Sequence, residues 1–207
     1  MDDETVSIAR SLAVSGAFRL GKFKLKSGVV SPYYIDLAWL LSSPADFNNV
    51  VNIVASHIRK VACSSPINKL ATIELKGALV LPSVASKLNM PCIVVRKEEK
   101  AYGSTGRIAG GVVEEGDRFL FFDDVLTDGE SKIEGMRPIE SMGGRIEAVL
   151  VIVDREQGGR ERLEGLGYTV TSITTISEIV ENLLGMGMLS ADKAAEIREY
   201  VSSLRET

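Results

Sequence analysis

Short runs of unbroken apolar residues, alternating with stretches of helical periodicity, constrain this chain more than any other feature. Residues 70–75, 91–96 (PCIVVR), 118–124 (RFLFFDD), 147–154 (EAVLVIVD) and 168–175 are strand-sized. The first four lack the apolar/polar alternation of a strand open to water on one side and read as strands buried on both faces, and 168–175 reads as a further strand. Between them, residues 46–60, 77–88, 132–142 and 159–166 space their apolar side chains as one helix face does, and residues 177–184 and 190–204 do so in the tail. Pro44 near the start of the first of these helices, Gly143-Gly144 after the third and Ser190 before the last are the residues that begin and end helices. The alternation predicts an α/β fold, a central, mostly parallel sheet flanked by helices. Such sheets bind ligands beyond the carboxyl ends of their strands. The residues just after each strand are therefore the candidates for function.

The first 45 residues follow another pattern. Ile8, Leu12 and Val14 suggest a short amphipathic helix ending near Gly16. Residues 18–25 alternate with period two and read as a strand or hairpin arm, which Ser31-Pro32 is expected to break before a second extended piece at 33–37. The chain thus divides into an N-terminal helix and strand unit (1–45), an α/β core (46–185) and a C-terminal helix (186–207), effectively one structural domain. Residues 97–111 form the one long stretch without apolar periodicity and carry Gly103, Gly106, Gly110 and Gly111. A loop of that length in a compact domain is usually functional or disordered.

Composition narrows the chemistry. With 24 Lys+Arg against 28 Asp+Glu the formal charge is -4, which argues against a nucleic-acid binder, whose footprint is basic. The single histidine, His57, rules out HExxH and zinc-finger patterns within the chain. It sits among Val50, Val51, Ile53, Val54 and Ile58 and reads as an ordinary helix residue. Cys63 and Cys92 lack metal-site spacing and fit free thiols in a reducing cytoplasm. The start, Met1-Asp2-Asp3-Glu4, is acidic where a leader would be basic and then apolar, and no run reaches the 18 apolar residues of a membrane helix. The expectation is a cytoplasmic protein with no membrane or nucleic-acid partner.

The densest chemistry follows the run at 118–124. Asp123 and Asp124 end the strand, and Val125-Leu126-Thr127-Asp128-Gly129-Glu130-Ser131 leads into a helix. A loop opening a helix offers free N–H groups and a positive dipole end to a phosphate, and Thr127 and Ser131 add hydroxyls. The two carboxylates are placed to accept hydrogen bonds from sugar hydroxyls or to face Mg²⁺.

This segment resembles the phosphoribosyl pyrophosphate (PRPP) motif of the type I phosphoribosyltransferases at Asp123, Asp124, Thr127, Gly129 and Ser131. Three more segments resemble the orotate branch of that family. They are Phe23-Lys24-Leu25-Lys26-Ser27-Gly28 with Ser31-Pro32-Tyr33-Tyr34-Ile35-Asp36, then Arg96-Lys97-Glu98-Glu99-Lys100-Ala101-Tyr102-Gly103, and Asp154-Arg155-Glu156-Gln157-Gly158-Gly159. Glu74-Leu75-Lys76-Gly77 is similar, more loosely, to the family's pyrophosphate loop. The motifs run in family order from about residue 5 to 185.

The resemblance implies the type I phosphoribosyltransferase fold with an N-terminal hood over the base site. It implies transfer of the ribosyl phosphate of PRPP to orotate, giving orotidine 5′-monophosphate and pyrophosphate. Lys26, Lys97, Lys100, Asp123 and Asp124 would be catalytic. PRPP would be held by Lys26, Lys76, Arg96, Lys97, Lys100, Tyr102, Asp123, Asp124 and the loop Thr127, Asp128, Gly129, Glu130 and Ser131. Orotate would meet Lys26, Tyr33, Tyr34, Thr127 and Arg155, with Arg155 binding its carboxylate bidentately. Mg²⁺ would be held mainly through PRPP, with Asp123 or Asp124 as protein ligand. The family also implies a homodimer in which the 97–111 loop reaches the partner's site.

Asp128 and Glu130 depart from the family, which usually places small or hydroxyl residues there. At roughly 6 Å, one like-charge pair costs on the order of 1 kcal/mol in water-like surroundings and about 3 kcal/mol at an effective dielectric near 20. Tyr102 stands where many members carry histidine. A non-enzymatic regulator sensing PRPP or a nucleotide, and a phosphoribosyltransferase for another base, are the competing readings. The five cations stand against the first and Arg155 against the second.

Overall fold

A computed structural model describes residues 3–24, 28–100 and 106–205. Helix α1 (Asp3–Val14) leads into a hairpin of β1 (Phe18–Lys24) and β2 (Val30–Ile35), which forms a small sheet of its own. A 3-10 helix (Leu37–Ser42) connects it to α2 (Pro44–Ser64). Then follow β3 (Lys69–Ile73), α3 (Lys76–Leu88), β4 (Cys92–Lys100), β5 (Gly106–Ala109), β6 (Arg118–Leu126), α4 (Glu130–Ser141), β7 (Arg145–Asp154), α5 (Gly159–Gly165), β8 (Val170–Thr175), α6 (Ile176–Gly185) and α7 (Ala191–Arg205).

The apolar runs pair into a six-stranded sheet of order β5-β4-β3-β6-β7-β8, parallel except where β5 joins β4. The central strand shows why its run is unbroken. Leu120 and Phe122 of β6 face a core shared with the hood, α1, α2, α3, α6 and α7. Phe119 and Phe121 face the other way, toward Met136 and Ile139 of α4 and Leu163 of α5. All four are fully buried, each worth about 1.5–3 kcal/mol of transfer free energy.

Strand order fixes where a ligand belongs. From β3 the chain steps outward to β4, whereas from β6 it steps the other way to β7. The crevice between the carboxyl ends of β3 and β6 is thus the topological switch point of the sheet.

Two local expectations are corrected. Ser31-Pro32 does not break the extended segment but lies inside β2. The ladder pairs Leu20 with Tyr33 and Phe23 with Ser31, with a register shift between. Pro32 faces that irregularity, where its missing N–H removes no regular ladder bond. Residues 97–111 are not one irregular loop either. β4 runs on through Lys100 and β5 returns antiparallel to it, with Lys100 opposite Gly106. Lys97, Glu98 and Glu99 are exposed, so this extension needs no apolar pattern, and the periodicity that marks the buried strands is missing from it.

Candidate active site

Three strand ends build the site. At the end of β6, Asp123 and Asp124 are each 5% exposed. Oδ1 of Asp123 accepts the N–H of Asp124, and Oδ1 of Asp124 accepts the N–H of Val125, both at 2.9 Å. Oδ2 of Asp124 is buried and has no hydrogen-bond partner among the described residues. A buried acceptor left open at the switch point is what a hydroxyl-bearing or cationic ligand would complete.

Oδ2 of Asp123, in contrast, is taken. Lys132 in the first turn of α4 places Nζ 2.6 Å from it, both side chains nearly enclosed. The same ammonium donates to the carbonyl of Val125 and lies 3.3 Å from Oγ of Ser131. Lys132 thus ties the strand end to the loop and the helix start, and it was missed in the sequence. The signal was present: Lys132, Gly135, Met136 and Ile139 recur at helical spacing, and all four are buried.

At the end of β3 the Glu74–Leu75 peptide is cis, and Lys76 opens α3. The helix start lies hard against β6. A Cβ on Gly77 would fall 2.1 Å from Oγ1 of Thr72 and 2.8 Å from Oδ1 of Asp123, so only glycine fits. Lys76 Nζ is 3.2 Å from Oδ1 of Asp36 and 5.6 Å from the centroid of the Tyr34 ring. Burial works to lower the Lys76 ammonium, but the charges of Asp124 and Asp36 outweigh it and hold it above its ordinary value.

At the end of β7, Arg155 is anchored by its backbone N–H to the carbonyl of Leu126 at 2.9 Å. Its guanidinium lies over Tyr33, 4.9 Å from the ring centroid, with Nε donating to the Tyr33 hydroxyl at 3.2 Å. Nη2 is buried without a hydrogen-bond partner among the described residues. Tyr33 is itself fully buried, between Phe18 and Tyr200, and burial pushes its hydroxyl above the usual phenol range. It meets the site through Arg155. Tyr34, half-buried, lies beside Arg19 and Lys76.

The loop between β6 and α4 turns at Gly129, whose φ of +79° is the left-handed conformation that favours glycine. Asp128 and Glu130 are exposed. Oδ1 of Asp128 accepts the Glu130 N–H at 3.1 Å, and Oγ1 of Thr127 lies 3.5 Å from the same oxygen. The Glu130 carboxylate pairs with Arg162 of α5. Arg96 donates from Nη1 to the carbonyl of Gly106 at 2.9 Å, bracing the β4–β5 hairpin, and the Lys97 N–H donates to Glu74 at 2.7 Å.

Lys26 and Tyr102 lie outside the described residues, and Lys100 is described in its backbone alone. His57 pairs at 2.9 Å with Glu4, joining α2 to α1. The two cysteines are unbonded.

Burial, then the charge of Asp123, raise the Asp124 carboxyl from its ordinary value to about 7, against the pull of Lys132 and Lys76. A carboxyl raised on folding holds its proton longer in the native state. Its stability contribution therefore falls as pH rises from the unfolded value near 4 through about 7. Asp124→Asn is expected to match the parent's thermal midpoint near pH 4 and to exceed it increasingly as pH rises, by about 10 °C at pH 8, read by calorimetry across that range. A gain that shrinks toward pH 8 would contradict the assignment.

No protein-family profile matches the chain. Individual proteins do. Orotate phosphoribosyltransferase of Thermococcus gammatolerans is 35% identical to it over 81% of this chain and 87% of its own length. Orotate phosphoribosyltransferase of Staphylothermus marinus is 33% identical, covering 98% of each. Among solved structures, the UMP synthase of Leishmania donovani superposes with a TM-score of 0.84 at 28% identity, and the match spans 96% of this chain and 42% of that one.

Proposed function

The chain belongs to the orotate phosphoribosyltransferase family, and we propose that it transfers the 5-phosphoribosyl group of PRPP to orotate at the switch point just described. The products are orotidine 5′-monophosphate and pyrophosphate, a step of pyrimidine synthesis. The observation that carries this reading is a pair of open polar atoms on neighbouring strand ends. Among the described residues, Oδ2 of Asp124 is a buried acceptor without a donor, and Nη2 of Arg155 is a buried donor without an acceptor. A ribose hydroxyl suits the first and the carboxylate of orotate the second.

The other parts follow from chemistry and position. The 5′-phosphate is assigned to the loop Thr127 to Ser131 at the start of α4, where backbone N–H groups and the helix dipole favour an anion. The pyrophosphate is assigned to the start of α3, where Lys76 supplies charge. Lys26, Lys97, Lys100 and Tyr102 are assigned to the same polyanion by the family resemblance. Positive charge builds on the ribose as the bond to pyrophosphate lengthens, and the carboxylate of Asp123, joined by that of Asp124 once it ionises, stabilises it. The base nitrogen then bonds to the ribosyl carbon as the bond to pyrophosphate breaks, its proton passing to the departing pyrophosphate, while Arg155 holds the orotate ring in line.

Mg²⁺ fits this donor set. Among the described residues no group of three or more His, Cys, Asp or Glu could cage a metal ion. Such an ion would be held mainly through the phosphate substrate, with Asp124 as the available carboxylate of the chain. Bound there, it would neutralise the leaving pyrophosphate. Among the described residues no helix is long and apolar enough to cross a membrane. The family resemblance supports a cytoplasmic homodimer with the 97–111 segment reaching the partner's site to shut out water.

The test is loss of orotate absorbance with PRPP and Mg²⁺, with uracil and hypoxanthine in parallel. Orotate alone is expected to be consumed, and a chelator is expected to stop the reaction. Consumption of another base in place of orotate, or of none, would overturn the assignment.

A further inference from the structure

Asp128 and Glu130 place two carboxylates in the loop assigned above to a phosphate, and Arg162 meets both residues. Its Nη2 pairs with Oε2 of Glu130, and its Nη1 donates to the carbonyl of Asp128 at 3.2 Å. The pair bridges 32 residues of sequence, joining α5 to the first turn of α4. α5 is docked directly on the loop: a Cβ on Gly159 would lie 2.3 Å from the Thr127 carbonyl oxygen. Arg162, one helical turn further on, therefore has a fixed reach. Both side chains stay about half exposed, 46% for Arg162 and 57% for Glu130. A pair this open contributes little to folding stability, so its effect lies with what approaches the loop.

We propose that Arg162 is a positioning residue for PRPP: it draws the Glu130 carboxylate onto α5, cancels its charge and clamps the Asp128 backbone, so that this acidic loop can accept a phosphate. The proposal rests on the assignment of the 5′-phosphate to this loop. Asp128 is restrained separately, its carboxylate bent back to the Glu130 N–H. Without Arg162 a phosphate dianion would meet the full charge of Glu130 within a Debye length, where salt screens only part of the repulsion.

Three proteins decide it: the parent, Arg162→Ala, and Arg162→Ala combined with Glu130→Gln. Calorimetric titration with ribose 5-phosphate and with Mg²⁺-pyrophosphate reads the two ends of PRPP separately, and steady-state kinetics reads the whole. Arg162→Ala is expected to weaken ribose 5-phosphate binding and raise the KM for PRPP by about three- to tenfold. Its kcat, pyrophosphate binding and thermal midpoint are expected to stay close to the parent's. Adding Glu130→Gln is expected to restore most of the lost affinity, which a merely structural role for Arg162 would not allow.

Unchanged binding of ribose 5-phosphate in Arg162→Ala, or a double variant no better than the single one, would overturn the proposal while leaving the enzyme reading intact. A parent that binds neither probe would overturn the phosphate assignment and this proposal with it.

Discussion

Replacing Lys132 with methionine is expected to cost about 3–5 kcal/mol of folding stability and nearly all turnover. The ammonium of Lys132 lies 2.6 Å from Oδ2 of Asp123, with side-chain exposures of 4% and 7%. Removing one partner strands a buried carboxylate, whereas exchanging both for apolar groups of similar volume is often neutral. The Val125 carbonyl and the Ser131 hydroxyl lose the same partner, so the loop that should hold phosphate loosens together with the strand end. Against a total stability of about 5–15 kcal/mol for a domain, the loss should be plain in a urea midpoint. The double variant Lys132→Met with Asp123→Leu separates folding from chemistry. It is expected to regain most of the stability and none of the turnover, because it lacks the carboxylate proposed to act on the ribose. A single variant as stable as the parent would show that the ion pair is not the clasp described. A double variant that turns over orotate would remove Asp123 from the reaction.

The fold was legible because its strands are buried on both faces. Phe119 to Phe122 have to be apolar without a break, since neighbours face two different helix layers, and that leaves an unmistakable run in the sequence. Legibility ended where an element meets water or depends on a distant partner. The far half of β4 carries Lys97, Glu98 and Glu99 on an exposed hairpin, so no periodicity marks it as a strand. Pro32 resembled a stop because the opposing register shift that tolerates it is set by β1. Within the site, Asp123, Asp124 and Arg155 could be read from their place at strand ends. Lys132 was overlooked because a lysine is assumed to face solvent, although its helical spacing pointed inward. Arg162 carried no local signal, because its partner lies 32 residues away. Asp128 and Glu130 stood out as charges, but the direction of Glu130 is decided by α5.

Arg155→Ala is expected to lower kcat/KM for orotate by about 100- to 1,000-fold, the range for removing one partner of a buried charged hydrogen bond, and to leave PRPP binding within about twofold. The guanidinium is preformed. Tyr33 holds it from below by ring contact and by its hydroxyl, and Tyr33 is wedged between Phe18 and Tyr200. Little side-chain entropy remains to be lost when a carboxylate arrives. Arg155→Lys should recover little, since an ammonium cannot present two parallel donors or lie flat on the Tyr33 ring. Tyr33→Phe removes one hydrogen bond and keeps the ring, so a loss of only about 3- to 10-fold is expected. On the proposed reading the same geometry sets base choice. Uracil lacks the carboxylate and would leave Nη2 of Arg155 buried and unpaired, and a site built to bind a charged group strongly rejects an analogue without it. Discrimination between orotate and uracil should therefore collapse in Arg155→Ala, mainly through the loss of orotate turnover. If the variant kept both its orotate turnover and its rejection of uracil, the carboxylate would have to be recognised elsewhere, with Lys26 the next residue to replace.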